Sequence, residues 1–117
     1  MSSGIWAERL AALWLLCHGW SIIERRLTGR RGSGIGEVDL IARRFGVLAF
    51  VEIKYRPSSA KAAESISTNQ KRRIIRAARA YLASHPDLAR LSVRFDAMLM
   101  APWSVPHHLT AAWDEEA

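Results

Sequence analysis

Asp39, Glu52 and Lys54 have the chemistry of a metal-assisted site, and they stand in two runs of alternating polar and apolar residues, Gly36–Arg44 and Val47–Tyr55. The alternation predicts two half-buried strands, and Phe45-Gly46 between them predicts a tight two-residue hairpin. In that register Arg44 pairs with Val47, which sets Asp39 opposite Glu52 and Glu37 opposite Lys54. Directly opposed residues share a face, so two carboxylates would meet at roughly 5 Å and repel. A hard divalent cation offsets that repulsion: Mg²⁺ takes oxygen ligands, typically one or two carboxylates with waters and substrate phosphates. Lys54 projects on the side of Glu52, where an ammonium can orient a water or stabilise charge developing on a phosphate. The competing reading makes Glu37, Asp39, Glu52 and Lys54 the solvated face of an ordinary hairpin. Against it, Leu48 and Phe50 share the face of Glu52 and Lys54, while Val47, Ala49, Val51, Ile53 and Tyr55 line the other. Charges at the end of a strand buried on both sides need a partner.

The elements that must position this hairpin are legible on either side of it. Ile5 to Gly19 carries Trp6, Leu10, Leu13, Trp14 and Cys17 at helical spacing and ends on a glycine in C-cap position, predicting a helix that lays this stripe on a sheet. Glu8 lies beside the stripe, pointing outward as a surface acid or inward towards the hairpin, with outward the more ordinary outcome. Trp20 to Leu27 reads as a first strand, followed by the glycine-rich basic loop Thr28-Gly29-Arg30-Arg31-Gly32-Ser33-Gly34. Its glycines do not match GxxxxGK[ST] and no helix follows, which excludes a nucleotide-binding loop of that type. Arg30 and Arg31 could grip phosphates beside the carboxylates or stay solvated.

After the hairpin, Arg56-Pro57-Ser58-Ser59 breaks the structure, and Ser67 or Thr68 can cap a helix running to about Ser84. Its apolar stripe is Ile74, Ile75, Ala78, Tyr81 and Leu82, while Lys71, Arg72, Arg73, Arg76 and Arg79 crowd the remaining surface. Gln70 and Lys71 lie one turn ahead of that stripe, placed to look over the sheet edge into the site. Ser92 to Met100 alternates again and follows a helical crossover, so it is expected parallel to Val47–Tyr55. Asp96, among apolar residues, is expected to cap or pair with an arginine. Beyond Pro102 the chain reads as a peripheral tail holding a short edge strand or a helical turn. The adjacent His107 and His108 there would point to opposite faces rather than share a metal. The order is α-β-β-β-α-β, an α/β (α+β) fold with a mixed sheet flanked by helices, in one domain over residues 1–117.

Composition narrows the partners. Seventeen Lys and Arg against eleven Asp and Glu give +6, and three of the acids close the chain at Asp114, Glu115 and Glu116. Setting those aside leaves 17 basic against 8 acidic residues, a balance of +9, and three of the eight acids are in the hairpin. The surface away from the hairpin is therefore basic and suits a polyanion such as nucleic acid, although solubility alone is the competing explanation. A lone Cys17 excludes an internal disulfide and a cysteine-based zinc site and fits a reducing cytoplasm. No apolar run reaches the length of a membrane span.

Gly36-Glu37-Val38-Asp39-Leu40-Ile41-Ala42 followed by Phe50-Val51-Glu52-Ile53-Lys54 resembles the hallmark of the YraN-like family of bacterial proteins. That family is placed in the PD-(D/E)XK, or restriction-endonuclease-like, superfamily near the archaeal Holliday-junction resolvases. Ala7-Glu8, Lys71 or its neighbours, and Arg94-Phe95-Asp96 extend the resemblance over nearly the whole chain. It implies a restriction-endonuclease-like αβββαβ core in which Asp39 and Glu52 bind Mg²⁺ or Mn²⁺ and Lys54 assists the attacking water. Glu8 resembles the further acid that resolvase-like members bring from their first helix, and Gln70 falls where some superfamily members place a polar residue near the site. The sequence departs from the superfamily name in having Val38-Asp39 rather than Pro-Asp.

Three functions follow as expectations. The first is a metal-dependent endonuclease cutting DNA, at branched structures by analogy. Asp39, Glu52 and Glu8 would hold the metal and Lys54 would act in catalysis, with Glu37 in support. Arg30, Arg31, Gln70, Lys71, Arg72, Arg73 and Arg76 would contact the nucleic acid. The second is a nucleic-acid-binding module that keeps the fold without catalysis. The third is a protein-interaction factor, with Trp103 and Trp113 exposed to a partner or to a second copy in a homodimer. That Asp39, Glu52 and Lys54 are all intact favours the first.

Overall fold

The hairpin forms where alternation and the Phe45-Gly46 pair put it. The computed structural model describes residues 3–28, 37–57 and 66–116. Among them the order is α1 (Ser3–Cys17), β1 (Ser21–Thr28), β2 (Glu37–Arg44), β3 (Val47–Tyr55), α2 (Thr68–Ser84), β4 (Ser92–Met100) and β5 (His107–Trp113). The five strands form one sheet in sequence order. β1–β2, β2–β3 and β4–β5 are antiparallel, whereas β3 and β4 run parallel, unbroken from Val47–Ser92 to Tyr55–Met100. The parallel pair follows from the crossover through α2, because a helix returns the chain to the end of the sheet where it started.

Both faces of β3 are covered. Leu48 and Phe50 join Val38, Ile41, Phe95, Ala97 and Leu99 beneath Ile74, Ile75, Ala78 and Tyr81 of α2. Ala49 and Val51 join Leu40, Ala42, Met98 and Met100 beneath α1. The central strand thus carries two cores, and each fully buried large apolar side chain contributes about 1.5–3 kcal/mol.

The face that α1 buries is not the stripe expected. Ala7, Ala11, Ala12 and Leu15 pack on the sheet, while Trp6, Leu10, Leu13 and Leu16 remain roughly half exposed, at 55, 47, 57 and 51 %. The helix is apolar almost all round, so periodicity cannot choose its inward side, and the small alanines win because they let it lie close to the sheet. Glu8 shares the inward face and is only 8 % exposed, which corrects the expectation that it points outward. The helix does end as its glycine predicts. Gly19 has φ +87°, Trp20 N–H donates to Leu15 O at 3.0 Å and Gly19 N–H to Leu16 O at 3.2 Å. This is a Schellman closure with Trp20 and Leu15 both buried.

The segment read as a peripheral tail supplies the edge strand β5. Its anchor is Asp96, fully buried on β4. Arg94 donates to both carboxylate oxygens at 2.9 Å, His108 Nε2 lies 2.7 Å from Oδ2, and Ala111 N–H donates to Oδ1 at 2.9 Å. The β4–β5 register slips between Phe95 and Ala97, and Asp96 takes up the backbone donor there. Burial raises the Asp96 pKa, but the bonds from His108, Arg94 and Ala111 outweigh it and hold the carboxyl below its usual range. Trp113, expected on the surface, is buried and stacked on Phe95 with ring centroids 5.9 Å apart.

Candidate functional site

The paired ladder of β2 and β3 ends at Leu40–Val51. Beyond it β2 continues only along β1, through Val38–Leu27 and Glu37–Thr28, so the two strands splay where the acids lie. Asp39 fills the opening: Ile53 N–H donates to its Oδ2 at 2.8 Å in place of a strand carbonyl. The expected direct facing of Asp39 and Glu52 therefore becomes a side chain of one strand capping the backbone of the next, one residue past Glu52. Lys54 does not depend on a cross-strand partner, since its Nζ lies 3.2 Å from Glu52 Oε2 on the same strand face. The side chain of Glu37 lies outside the described residues, as do Arg30 and Arg31.

Glu52 points to the α2 side of the sheet, its side chain 7 % exposed and that of Lys54 14 %. Gln70 Nε2 donates to Glu52 Oε2. Gln70 is set there by the cap of its helix: Ser67 is extended, with φ −77° and ψ 163°, and its Oγ accepts from Gln70 N–H at 3.1 Å. Ser67-Thr68-Asn69-Gln70 has the spacing of a capping box, but the glutamine side chain is committed to Glu52 across the sheet end.

A carboxylate so enclosed resists ionisation. Burial first, then the charge of Asp39 and a hydrogen bond with it, push the Glu52 pKa from 4.5 to about 8, with Lys54 pulling the other way. Near neutral pH Glu52 thus favours keeping its proton. Two oxygen-donor side chains that repel when both ionise are a pair that a hard divalent cation would neutralise. Among the described residues no group of three His, Cys, Asp or Glu that could hold a metal is formed. Glu8 turns inward from α1, which covers the sheet face opposite the one Glu52 occupies.

The basic residues of α2 divide by exposure. Arg72, Arg73 and Arg76 are exposed and Lys71 is half-buried. Arg79 is drawn off into an ion pair with Glu115 at 3.2 Å. Sequence reasoning did not foresee the link of Gln70 to Glu52 in detail, though the serine three residues ahead and the helical spacing to Ile74 pointed that way. No helix among the described residues is long and apolar enough to cross a membrane.

Residues 7–100 match the uncharacterised protein family UPF0102. A UPF0102 protein of Paramagnetospirillum magneticum is 52 % identical over 107 residues, covering 92 % of this chain and 83 % of the relative. One from Bradyrhizobium sp. is 47 % identical over 112 residues, covering 96 % and 77 %. Among solved structures, the Holliday junction resolvase Hjc of Archaeoglobus fulgidus superposes with a TM-score of 0.53 at 16 % identity, over 92 % of this chain and 76 % of that one. At that identity the likeness speaks for the fold, and its sheet-and-helix plan is the restriction-endonuclease-like one built above. From the match across its core and the identity of its relatives, this chain belongs to the UPF0102 family, on a restriction-endonuclease-like fold.

Proposed function

We propose that the protein is a divalent-metal-dependent nuclease that hydrolyses DNA phosphodiester bonds, with branched structures as its preferred substrates. The observation that carries this reading is the convergence of Asp39, Glu52 and Lys54 at the C-terminal end of β3. The resolvase named above supports the substrate class by its fold alone. In this reading Asp39 and Glu52 would hold Mg²⁺ or Mn²⁺ between them, whereas Glu8, inward on α1 over the opposite face of the sheet, completes no three-acid group with them. The bound ion would polarise the phosphate and acidify a water.

The chain's own groups have separate tasks. Gln70 fixes the rotamer of Glu52 through its amide, so the carboxylate is ordered before any ion arrives. Asp39 is fixed by the Ile53 N–H. Lys54 presents a compact ammonium 3.2 Å from Glu52, where it orients a water or meets the charge that grows on the phosphate in the transition state. Arg72, Arg73 and Arg76 hold the flanking backbone, a contact that depends on salt and not on sequence.

Incubation of branched, flap and linear DNA with Mg²⁺, Mn²⁺ or EDTA tests the proposal, with Asp39→Ala and Glu52→Ala beside the wild type. Metal-dependent products from the wild type alone are expected. Binding without cleavage in every metal would leave the non-catalytic module.

A further inference from the structure

Trp103 is fully exposed, at 104 % relative accessibility, and has φ +58°. Ser104 N–H donates to Ala101 O at 3.3 Å, so Ala101-Pro102-Trp103-Ser104 closes as a turn with proline at its second position. The third position of such a turn, where φ is positive, is one that glycine or asparagine normally takes. A bulky residue there adds backbone strain, and this side chain recovers nothing by burial. Folding gives no account of a tryptophan at this place.

Its position in the fold does. β3 and β4 run parallel, Tyr55 pairs with Met100, and Arg56 N–H donates to Met100 O at 3.0 Å. The β4–β5 connection therefore starts at the same end of the sheet as Glu52 and Lys54. Trp103 follows Met100 by three residues, at most about 10 Å of chain, or about three stacked bases at ~3.4 Å each. Around that end stand Lys54, the exposed edge of Tyr55 and Arg56, whose guanidinium donates to Tyr55 O at 2.8 Å. Phe45 makes the contrast: it is also 89 % exposed with φ +54°, but it caps the hairpin at the far end of β3.

We propose that Trp103 is a stacking platform for an unpaired nucleobase beside the phosphodiester site, so that this site takes single strands, flaps or the opened strands of a junction in preference to continuous duplex. The inference rests on the nuclease reading for its ligand class, nucleic acid. An indole face receives any base without reading its sequence, and stacking of this kind weakens binding about 5- to 150-fold when removed. A base inside a duplex has no free face to offer, so the contribution vanishes there.

The test uses binding in EDTA, where no cleavage occurs. Fluorescence anisotropy at fixed salt gives the Kd for an oligonucleotide single strand, with 2-aminopurine near its centre, and for the matching duplex. Trp103→Ala should weaken the single strand by the stated factor, abolish part of the 2-aminopurine quenching and leave the duplex within twofold. Trp103→Phe should keep most of the affinity and Phe45→Ala all of it. Trp103→Gly, which suits φ +58°, should unfold at a higher midpoint than wild type while binding single strands as poorly as Trp103→Ala. Equal Kd values for wild type and Trp103→Ala, equal losses for single strand and duplex, or the same loss from Phe45→Ala would each overturn the proposal. So would a change of oligomeric state in Trp103→Ala by sedimentation, which would make this a protein contact. Trp103-dependent binding by a protein that never cleaves would overturn hydrolysis and keep the platform. Metal-dependent cleavage without any Trp103 effect would do the reverse.

Discussion

Replacing Glu52 by Gln should change how stability depends on pH, and the direction follows from the enclosure of this carboxyl. Its pKa is 4.5 when free and about 8 in the fold. The folded state therefore holds the proton more tightly than the unfolded one. Below about pH 4.5 the group is protonated in both states and has no effect. Between pH 4.5 and 8 the unfolded chain ionises freely while the folded one must keep its proton or bury a charge, so unfolding becomes easier by up to ~1.4 kcal/mol per pH unit. Above pH 8 the loss is complete, about 5 kcal/mol at most, a large part of the roughly 5–15 kcal/mol that usually holds a domain together. The pull of Lys54 is already contained in the folded pKa, and water entering the strand end reduces the observed loss further, to about 2–4 kcal/mol. The amide introduced by Glu52→Gln cannot ionise, yet its carbonyl still accepts from the Gln70 amide. Urea unfolding of both proteins from about pH 5 to 9 without divalent ions reads the difference and cancels the histidines and other shared groups. The stability of Glu52→Gln minus that of wild type should rise steadily through this window and level off near its top. Parallel curves would refute the reasoning. On the proposed reading a divalent cation would bind the ionised pair, so Mg²⁺ should stabilise wild type more at about pH 8 than at about pH 6.

Other outcomes follow from the same geometry. Changing Arg72, Arg73 and Arg76 together to Gln should flatten the dependence of log K on log salt by about two to three units if each meets a phosphate, read by DNA titration between about 50 and 200 mM salt; an unchanged slope would move the binding face elsewhere. Asp96→Asn leaves Arg94 and His108 facing an uncharged amide in a closed pocket and should cost about 3–5 kcal/mol, seen in urea unfolding. Because the Asp96 carboxyl sits below its usual 3.8, that contribution is present above about pH 4 and is lost as pH falls further, through its folded pKa. On α1, Ala11→Leu should destabilise by about 1–3 kcal/mol against the sheet, and Leu13→Ser should stay within about 0.5 kcal/mol; the reverse order would restore the stripe expected from periodicity.

What the sequence disclosed depended on whether a pattern had one solution. The hairpin was readable because alternation on both sides of Phe45-Gly46 allows a single register, and every residue from Leu40 to Val51 obeys it. Helix α2 was readable because its arginines and its Ile74, Ile75, Ala78 and Tyr81 stripe leave one face to bury. Helix α1 has apolar residues on every side, so the choice fell to side-chain size, which periodicity does not weigh. The splay at Asp39 was hidden because alternation describes where side chains point and not where pairing stops. The Asp96–His108 contact joins residues 12 apart across a register slip, and no local spacing encodes that meeting. Asp39, Glu52, Lys54 and Gln70, by contrast, were named from two strands and one helical turn, and the fold draws them to one end of β3.

The measurement that bears most directly on the account is single-turnover cleavage of a branched DNA, with wild type, Asp39→Asn and Lys54→Met each first shown to be folded and to bind that DNA. Wild type should cut in Mg²⁺ or Mn²⁺ and stop in EDTA. Lys54→Met should retain binding and slow by about a hundredfold or more, because the lost interaction strengthens only in the transition state. Asp39→Asn should lose the metal dependence together with the rate. Cleavage by either variant at the wild-type rate, or a wild type that binds the DNA and leaves it whole in every metal, would contradict the assignment of this strand end as a hydrolytic centre.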